Sequence, residues 1–336
     1  AGALANLSEA TGAPVVTSFR RQDYMDNRHS HFAGDLNVGV NPKLAQRVRD
    51  ADCLLLIGTR FGDIETQGYT LVDPANPQKT ILHIHADANE IGRVYGADLS
   101  YVCDAVSAVA QLAIMAATME LQPQWDAWRK AARADYEAWI TPLESPGAVK
   151  QEQVIKWLSD NLDDSAILTN GAGNYAVWLH RYFVYKQHGT QLAPTSGSMG
   201  YGFPAAISAS LEHPDRDVIC LAGDGCFQMT CNEMSTAVQH GAKPIVIVMD
   251  NGRYGTIRMH QEKHYPGRVS GTMLANPDFV ALAKAYGGHG ELVTDGAQFA
   301  DAFARAKASG TVAIIACKID EEALATGATL SAVHGF

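Results

Sequence analysis

At 336 residues the chain has room for about two domains, on a soft prior of ~150 residues each. Apolar residues make up 47% and charged residues 18% of it, which excludes a disordered chain. A net charge of −10 without a lysine–arginine cluster excludes nucleic acid and anionic membranes as expected partners, and no apolar run nears the ~20 residues that cross a bilayer.

Leu4, Leu7 and Ala10 share a helical spacing, so Ala1 falls inside a helix with no capping residue and no strand before it. A chain opening in mid-helix is expected to be a fragment of a larger α/β protein. Strands are predicted over 13–17, 53–57 and 81–85, whose continuous apolar character suits a parallel sheet covered on both faces. A helix is predicted over 42–50, with Pro42 at its first turn. His29 with His31, and His83 with His85, are spaced as metal pairs are, but neither has a third ligand in view. Six cysteines (Cys53, Cys103, Cys220, Cys226, Cys231, Cys317) show no CxxC spacing. They read as reduced, buried thiols of a cytoplasmic protein.

An amphipathic helix over 124–140 closes the first expected domain, 1–140. The proline- and glycine-bearing stretch 141–150 is the expected linker, and 151–336 the second domain. Its predicted strands are 166–169, 218–222, 245–249 and 311–317, with helices over 203–211, 232–240, 277–286 and 297–308. The alternation predicts an α/β protein of two doubly wound, parallel-sheet, three-layer domains.

Gly223-Asp224-Gly225 closes the run 218–222, and Asn251 follows Asp224 by 27 positions, directly after the run 245–249 and Asp250. Two strands thus deliver a carboxylate and a carboxamide from their C-terminal ends, where open α/β sheets bind ligands. Such oxygens suit Mg²⁺, which takes one or two protein oxygens and fills its shell with phosphate and water. The chain turns at Gly252, so the Arg253 carbonyl is the expected third ligand. A helix from Cys226 onward would aim free N–H groups at the same phosphate. The plain alternative is an ordinary βα turn with a helix-capping aspartate.

Residues 170–176 also follow a strand and precede a helix, and match Gly-x-Gly-x-x-Ala. A dinucleotide site needs an acid roughly 20 positions on to hold the ribose, and no Asp or Glu stands between Asp164 and Glu212. The turn therefore reads as a second approach to the same diphosphate. Residues 196–204 form a glycine-dense loop that permits close backbone approach. Met199, the one large wholly apolar side chain between Ser196 and Gly200, would prop a ring system or fill the core. The region of Glu262 and His264 reads as polar and solvated, and His260 gains interest only by following Asn251.

The stretches 223–229 and 249–255 resemble the thiamin diphosphate motif of acetolactate synthase-like enzymes, and the likeness spans nearly the whole chain as a central domain followed by a diphosphate-binding domain. The paired asparagines that usually end the motif are Asp250-Asn251 here, with the metal-ligating second position kept. The resemblance implies thiamin diphosphate and Mg²⁺ as cofactors, with Asp224, Asn251 and Arg253 on the metal. It places Asn174, Tyr175, Gly197, Ser198, Gly223, Gly225, Cys226, Tyr254 and Gly255 around the cofactor. Met199, 25 positions before Asp224, matches the residue that wedges beneath thiamin diphosphate and holds it in a V shape. Such preorganisation contributes ~7–11 kcal/mol. Residues 277–280 match the helix start after the substrate loop.

The central domain resembles the FAD-binding domain of acetolactate synthases through Arg60-Phe61-Gly62-Asp63 and through 83–92. Ile64 stands where a second arginine is usual, and His85 replaces an aspartate, so FAD enters as a second cofactor on an incomplete motif. In the family a catalytic glutamate comes from an N-terminal domain, usually across a dimer interface, and this sequence contains no counterpart of that domain. The resemblance therefore implies a homodimer or tetramer whose site is completed by that domain of a partner subunit, and an isolated chain that catalyses little.

The activity implied is decarboxylation of a small 2-oxo acid such as pyruvate, followed by transfer of the acyl unit to a second oxo acid. His260 replaces the tryptophan that favours larger acceptors. A decarboxylase of the benzoylformate type is the alternative. A non-catalytic ligand-binding or dimerisation module, and a nicotinamide-dependent oxidoreductase, rank behind.

Overall fold

A computed structural model describes residues 1–119, 121 and 125–333. The chain divides into two compact units, residues 1–140 with 185–188, and 141–184 with 189–336.

In the first unit α1 (Gly2–Thr11) leads into β1 (Val15–Thr17), which pairs in parallel with β2 (Phe32–Asp35). Asn41 caps α2 (Pro42–Asp50), its Oδ1 accepting the Lys43 N–H at 3.0 Å, and the helix turns Leu44, Ala45 and Val48 inward. β3 (Cys53–Ile57), β4 (Thr80–His85) and β5 (Leu99–Val102) form a separate parallel sheet in that order. α3 (Ala105–Thr118), capped by Asp104, and α4 (Asp126–Trp139) complete the unit. Gln124, where a helix was expected to begin, lies outside the described residues.

The expectation of strands covered on both faces is corrected here. Leu55 of β3 is 45% exposed and every residue of β5 is exposed, whereas Ile81 of β4 is wholly buried. β3 and β5 are both edges of a three-stranded sheet, so coverage concentrates on the middle strand.

The second unit opens with α5 (Gln151–Asn161) and continues through β6 (Ile167–Asn170), α6 (Tyr175–Tyr182), β7 (Gln191–Leu192), α7 (Gly202–Glu212) and β8 (Val218–Gly223). α8 (Asp224–Gln228), α9 (Met234–His240), β9 (Ile245–Asp250), α10 (Gly255–His264), α11 (Phe279–Ala285) and β10 (His289–Val293) follow. The chain then runs through α12 (Phe299–Ala308), β11 (Ala313–Lys318), the hairpin β12 (Ala323–Ala325) and β13 (Ala328–Thr329), and α13 (Leu330–Val333). Six strands pair in parallel in the order β10-β11-β9-β8-β6-β7. Val246, Ile247 and Val248 of β9 are wholly buried, as a central strand with helices on both faces requires. Phe203, Phe227 and Phe279 meet in the core in tilted and edge-to-face contacts, with ring centroids 5.3 and 5.9 Å apart.

From β6 the chain adds β7 on one side, then crosses back to place β8 on the other. That reversal makes the carboxyl edge of β6 and β8 the topological switch point, where such sheets hold ligands.

The stretch 141–150, expected as a linker, belongs to the second unit. Ser145 donates its N–H and hydroxyl to the buried Glu152 carboxylate at 2.7 and 2.5 Å. All six cysteines are free thiols. Cys220, Cys226 and Cys317 are buried, Cys103 and Cys231 partly so, and Cys53 is exposed, contrary to the buried reading. Among the described residues no helix is long and apolar enough to cross a membrane.

Candidate functional site

β8 ends at Gly223 beside Met249 of β9, so Asp224 and Asn251 leave neighbouring strand ends. Asp224 is 3% exposed. Its Oδ1 accepts the Gly225 N–H at 2.8 Å. Its Oδ2 accepts the Gly252 N–H at 2.8 Å and the Asn276 amide at 2.7 Å. The peptide immediately after Asn251 is thereby tied to the Asp224 carboxylate. Burial raises the Asp224 pKa and the nearby Asp250 charge adds to this, while the Asn276 and Gly225 hydrogen bonds pull the other way. Asn251 Oδ1 accepts the Arg253 N–H at 3.2 Å. A short antiparallel bridge pairs Arg253 with Met273 through Tyr254 N–H to Thr272 O and Leu274 N–H to Gly252 O, bonds that do not use the Arg253 carbonyl. The Arg253 guanidinium pairs with Glu321.

Asn174 and Tyr175, at the start of α6, and Met199 line the same cleft as Asp224, Asn251 and Arg253. So do Gly223, Gly225, Cys226, Tyr254 and Gly255. The cleft is closely walled. A Cβ on Gly225 would stand 2.5 Å from the Tyr254 ring, and one on Gly171 would stand 2.4 Å from Cys226 Sγ. The Cys226 thiol joins three loops: Tyr175 Oη donates to it at 3.2 Å, Gly200 N–H does so at 3.2 Å, and Gly171 N–H donates to Tyr175 Oη at 3.1 Å. Burial holds the Tyr175 phenol well above its usual pKa, so it stays a donor. The Asn174 side chain works within the protein, donating to Leu324 O at 2.8 Å and accepting from Thr256 Oγ1 at 2.9 Å.

Gly197 and Ser198 do not line the cleft. They are exposed on the loop before it, where Ser198 bonds Ser196 at 2.8 Å. His260 is likewise exposed, stacked on His264. Glu262 was read as solvated; it is 1% exposed and pairs with Arg258 one turn earlier at 2.5 Å. That correction follows from helix geometry, since i and i+4 share a face. Sequence reasoning missed Gln151, Trp178 and Asn276. Gln151 and Trp178 line the cleft, each 1% exposed. Trp178 follows Tyr175 by three positions on α6, so helical spacing could have found it. No local signal marks Gln151 or Asn276, which tertiary packing brings to this edge.

His83 Nε2 lies 2.9 Å from Thr59 O and His85 Nδ1 bonds the backbone of Asp87. Among the described residues no three His, Cys, Asp or Glu side chains gather as a metal cluster. The Asp224 end of the cleft has a different donor set. Its buried carboxylate meets only neutral N–H donors, and a carboxamide oxygen and a backbone carbonyl stand on the adjoining turn. Hard oxygens around a buried carboxylate that has only neutral hydrogen-bond donors fit a hard divalent cation, and the tight glycine turns leave backbone close to any phosphate it carries.

Two family profiles match the chain: the thiamine pyrophosphate enzyme central domain over residues 1–112, and the C-terminal TPP binding domain over 171–317. An acetolactate synthase large subunit of Corynebacterium glutamicum is 32% identical over 293 residues, covering 84% of this chain and 46% of that protein. An acetolactate synthase of Mycobacterium leprae is 30% identical over 295 residues, covering 84% and 47%. The chain thus spans about half the length of the curated relatives it matches. A Rhodococcus jostii thiamine diphosphate-dependent 4-hydroxybenzoylformate decarboxylase has a similar structure, with a TM-score of 0.76 at 25% identity, covering 95% of this chain and 58% of that one. The chain belongs to the thiamine pyrophosphate-dependent enzyme family that includes the acetolactate synthases, and carries its central and C-terminal domains.

Proposed function

We propose that the second unit holds Mg²⁺ and thiamin diphosphate, and that the complete protein decarboxylates a small 2-oxo acid such as pyruvate and transfers the acyl unit to a second oxo acid. The carrying observation is the Gly252 N–H bonded at 2.8 Å to the Asp224 carboxylate, which locks the turn bearing Asn251 against the aspartate. Asp224, Asn251 and the Arg253 carbonyl are the protein ligands of the metal. Backbone at Gly173, Gly223 and Gly225 would face the diphosphate, with Cys226 and Tyr175 fixing those loops and Tyr254 and Gly255 lining the same cleft. When bound, the cofactor supplies a nucleophilic carbon and an electron sink for the departing carboxylate. Met199 would hold the ring system at the angle that makes its activation intramolecular; its loop is anchored through Gly200, which donates to Cys226 and accepts from Thr230 Oγ1 at 3.0 Å.

The homo-oligomer and a partner subunit's glutamate belong to this proposal, as does a cytoplasmic setting. FAD in the first unit stays a proposal resting on the sequence pattern alone. A second reading, simple decarboxylation of an aromatic 2-oxo acid, draws on the likeness to the Rhodococcus jostii enzyme. Products formed from pyruvate, and from an aromatic 2-oxo acid, by the complete polypeptide with Mg²⁺ and thiamin diphosphate separate them. Acetolactate from pyruvate is the expected result. An aldehyde as sole product would favour the second reading, and no turnover of either acid would refute both.

A further inference from the structure

Asp250 brings a second buried carboxylate to the edge that carries Asp224; it is 3% exposed, like its neighbour. Two carboxylates this close repel in a poorly solvated setting. Two donors reach both: the Gly252 N–H, at 2.8 Å from Asp224 Oδ2 and 3.3 Å from Asp250 Oδ1, and, at shorter range, an amide. The side-chain amide of Asn276 donates to Asp224 Oδ2 at 2.7 Å and to Asp250 Oδ1 at 2.7 Å. Its own Oδ1 accepts from Gln228 Nε2 at 2.8 Å, and the opposite amide orientation would set an oxygen against two carboxylates, so the chemistry fixes which end points inward. On the far side Asp250 pairs with Lys318 from the end of β11. Asn276 is carried by the segment that bridges back onto 252–254, so the metal-bearing turn and the amide are held by one backbone pairing.

An ionised carboxylate offers about four acceptor positions. Gly225 takes one on Oδ1, and Gly252 and Asn276 take both on Oδ2. We infer that Asn276 is a positioning residue that saturates Asp224 Oδ2 and so makes Asp224 a one-oxygen metal ligand through Oδ1, while screening it from Asp250. This rests on the proposed metal role of Asp224. A one-oxygen ligand suits an octahedral Mg²⁺ shell, whereas a chelating carboxylate suits a larger cation such as Ca²⁺.

The test is metal-dependent binding of thiamin diphosphate to the 336-residue chain, titrated with Mg²⁺, Ca²⁺ or Mn²⁺, with the Mn²⁺ EPR spectrum as a second readout. Removing partners that orient a ligand typically costs about 10–100-fold in metal affinity. Asn276→Leu should lose Mg²⁺ affinity on that scale, narrow the preference for Mg²⁺ over Ca²⁺, and broaden the Mn²⁺ spectrum. In an Asp250→Asn background the same substitution should lose less, because the charge it screens is gone. Gln228→Met, which frees Asn276 without touching the carboxylates, should shift all three readouts the same way but by less. Folded Asn276→Leu or Gln228→Met protein with the parent's Mg²⁺ affinity, ion preference and spectrum would overturn the inference alone. A parent chain that binds thiamin diphosphate without regard to metal would remove the metal reading, and this inference with it.

Discussion

The second unit and the first are built from comparable aliphatic runs, yet they bury them differently. β9 lies inside six parallel strands with its three central residues wholly buried, while β3 is an edge of a three-stranded sheet with Leu55 45% exposed. Burial follows the place of a strand in its sheet more than its composition. The deep sheet also has a reversal of strand order, and the chemistry-bearing turns gather at its carboxyl edge. The shallow sheet presents two histidines bonded to backbone and no comparable donor set.

Stability should register the contrast most strongly. Ile247→Ala removes methylenes from a sealed layer and should cost about 2–5 kcal/mol, whereas Leu55→Ala should change stability by no more than about 0.5 kcal/mol. Denaturant unfolding of both variants, followed by far-UV circular dichroism and by probes in each unit, measures the difference. Equal losses would erase the distinction between the sheets.

A pH series sharpens the first unit's side of it. Asp35, at the end of β2, is pushed up to about 7 by burial. Its folded value lies above its unfolded one, so its contribution to stability is present in full below about pH 4 and lost as the pH climbs through about 7. The first unit should therefore weaken by a few kcal/mol at most over that window, and Asp35→Asn should flatten the profile. A parent profile that rises from pH 4 to 7 would contradict this sign.

A smaller contrast lies in the cleft. Gln151 Oε1 is buried without a hydrogen-bond partner. Gln151→Met should raise the stability of the second unit by about 1 kcal/mol, because an unpaired polar atom is removed at similar volume. A loss of stability would mean that the amide has partners in solution.

These contrasts explain what could be read from residues alone. β8 and β9 were legible because each is an unbroken aliphatic run closed by a polar turn, and Asp224 and Asn251 because they sit at those closures. β2, β5, β7, β10 and the β12–β13 hairpin were missed: β5 is exposed throughout and β7 is two residues long, while β2 and β10 carry glycine within short runs that are not continuously apolar. Glu262 was misread although its i,i+4 partner Arg258 was in plain sight. Gln151 and Asn276 were illegible for a different reason, since their positions come from chain segments remote from the motif. The stretch 141–150 looked like a linker because proline and glycine mark breaks, and only the buried Ser145–Glu152 contact shows it docked.

The most direct measurement is calorimetric titration of thiamin diphosphate into the 336-residue chain with and without Mg²⁺, for the parent and for Asp224→Asn. Binding that requires Mg²⁺ and weakens by about 100-fold or more in the variant is the predicted result, a change of about 2.8 kcal/mol. Parent-like affinity in Asp224→Asn, or binding indifferent to Mg²⁺, would contradict the account.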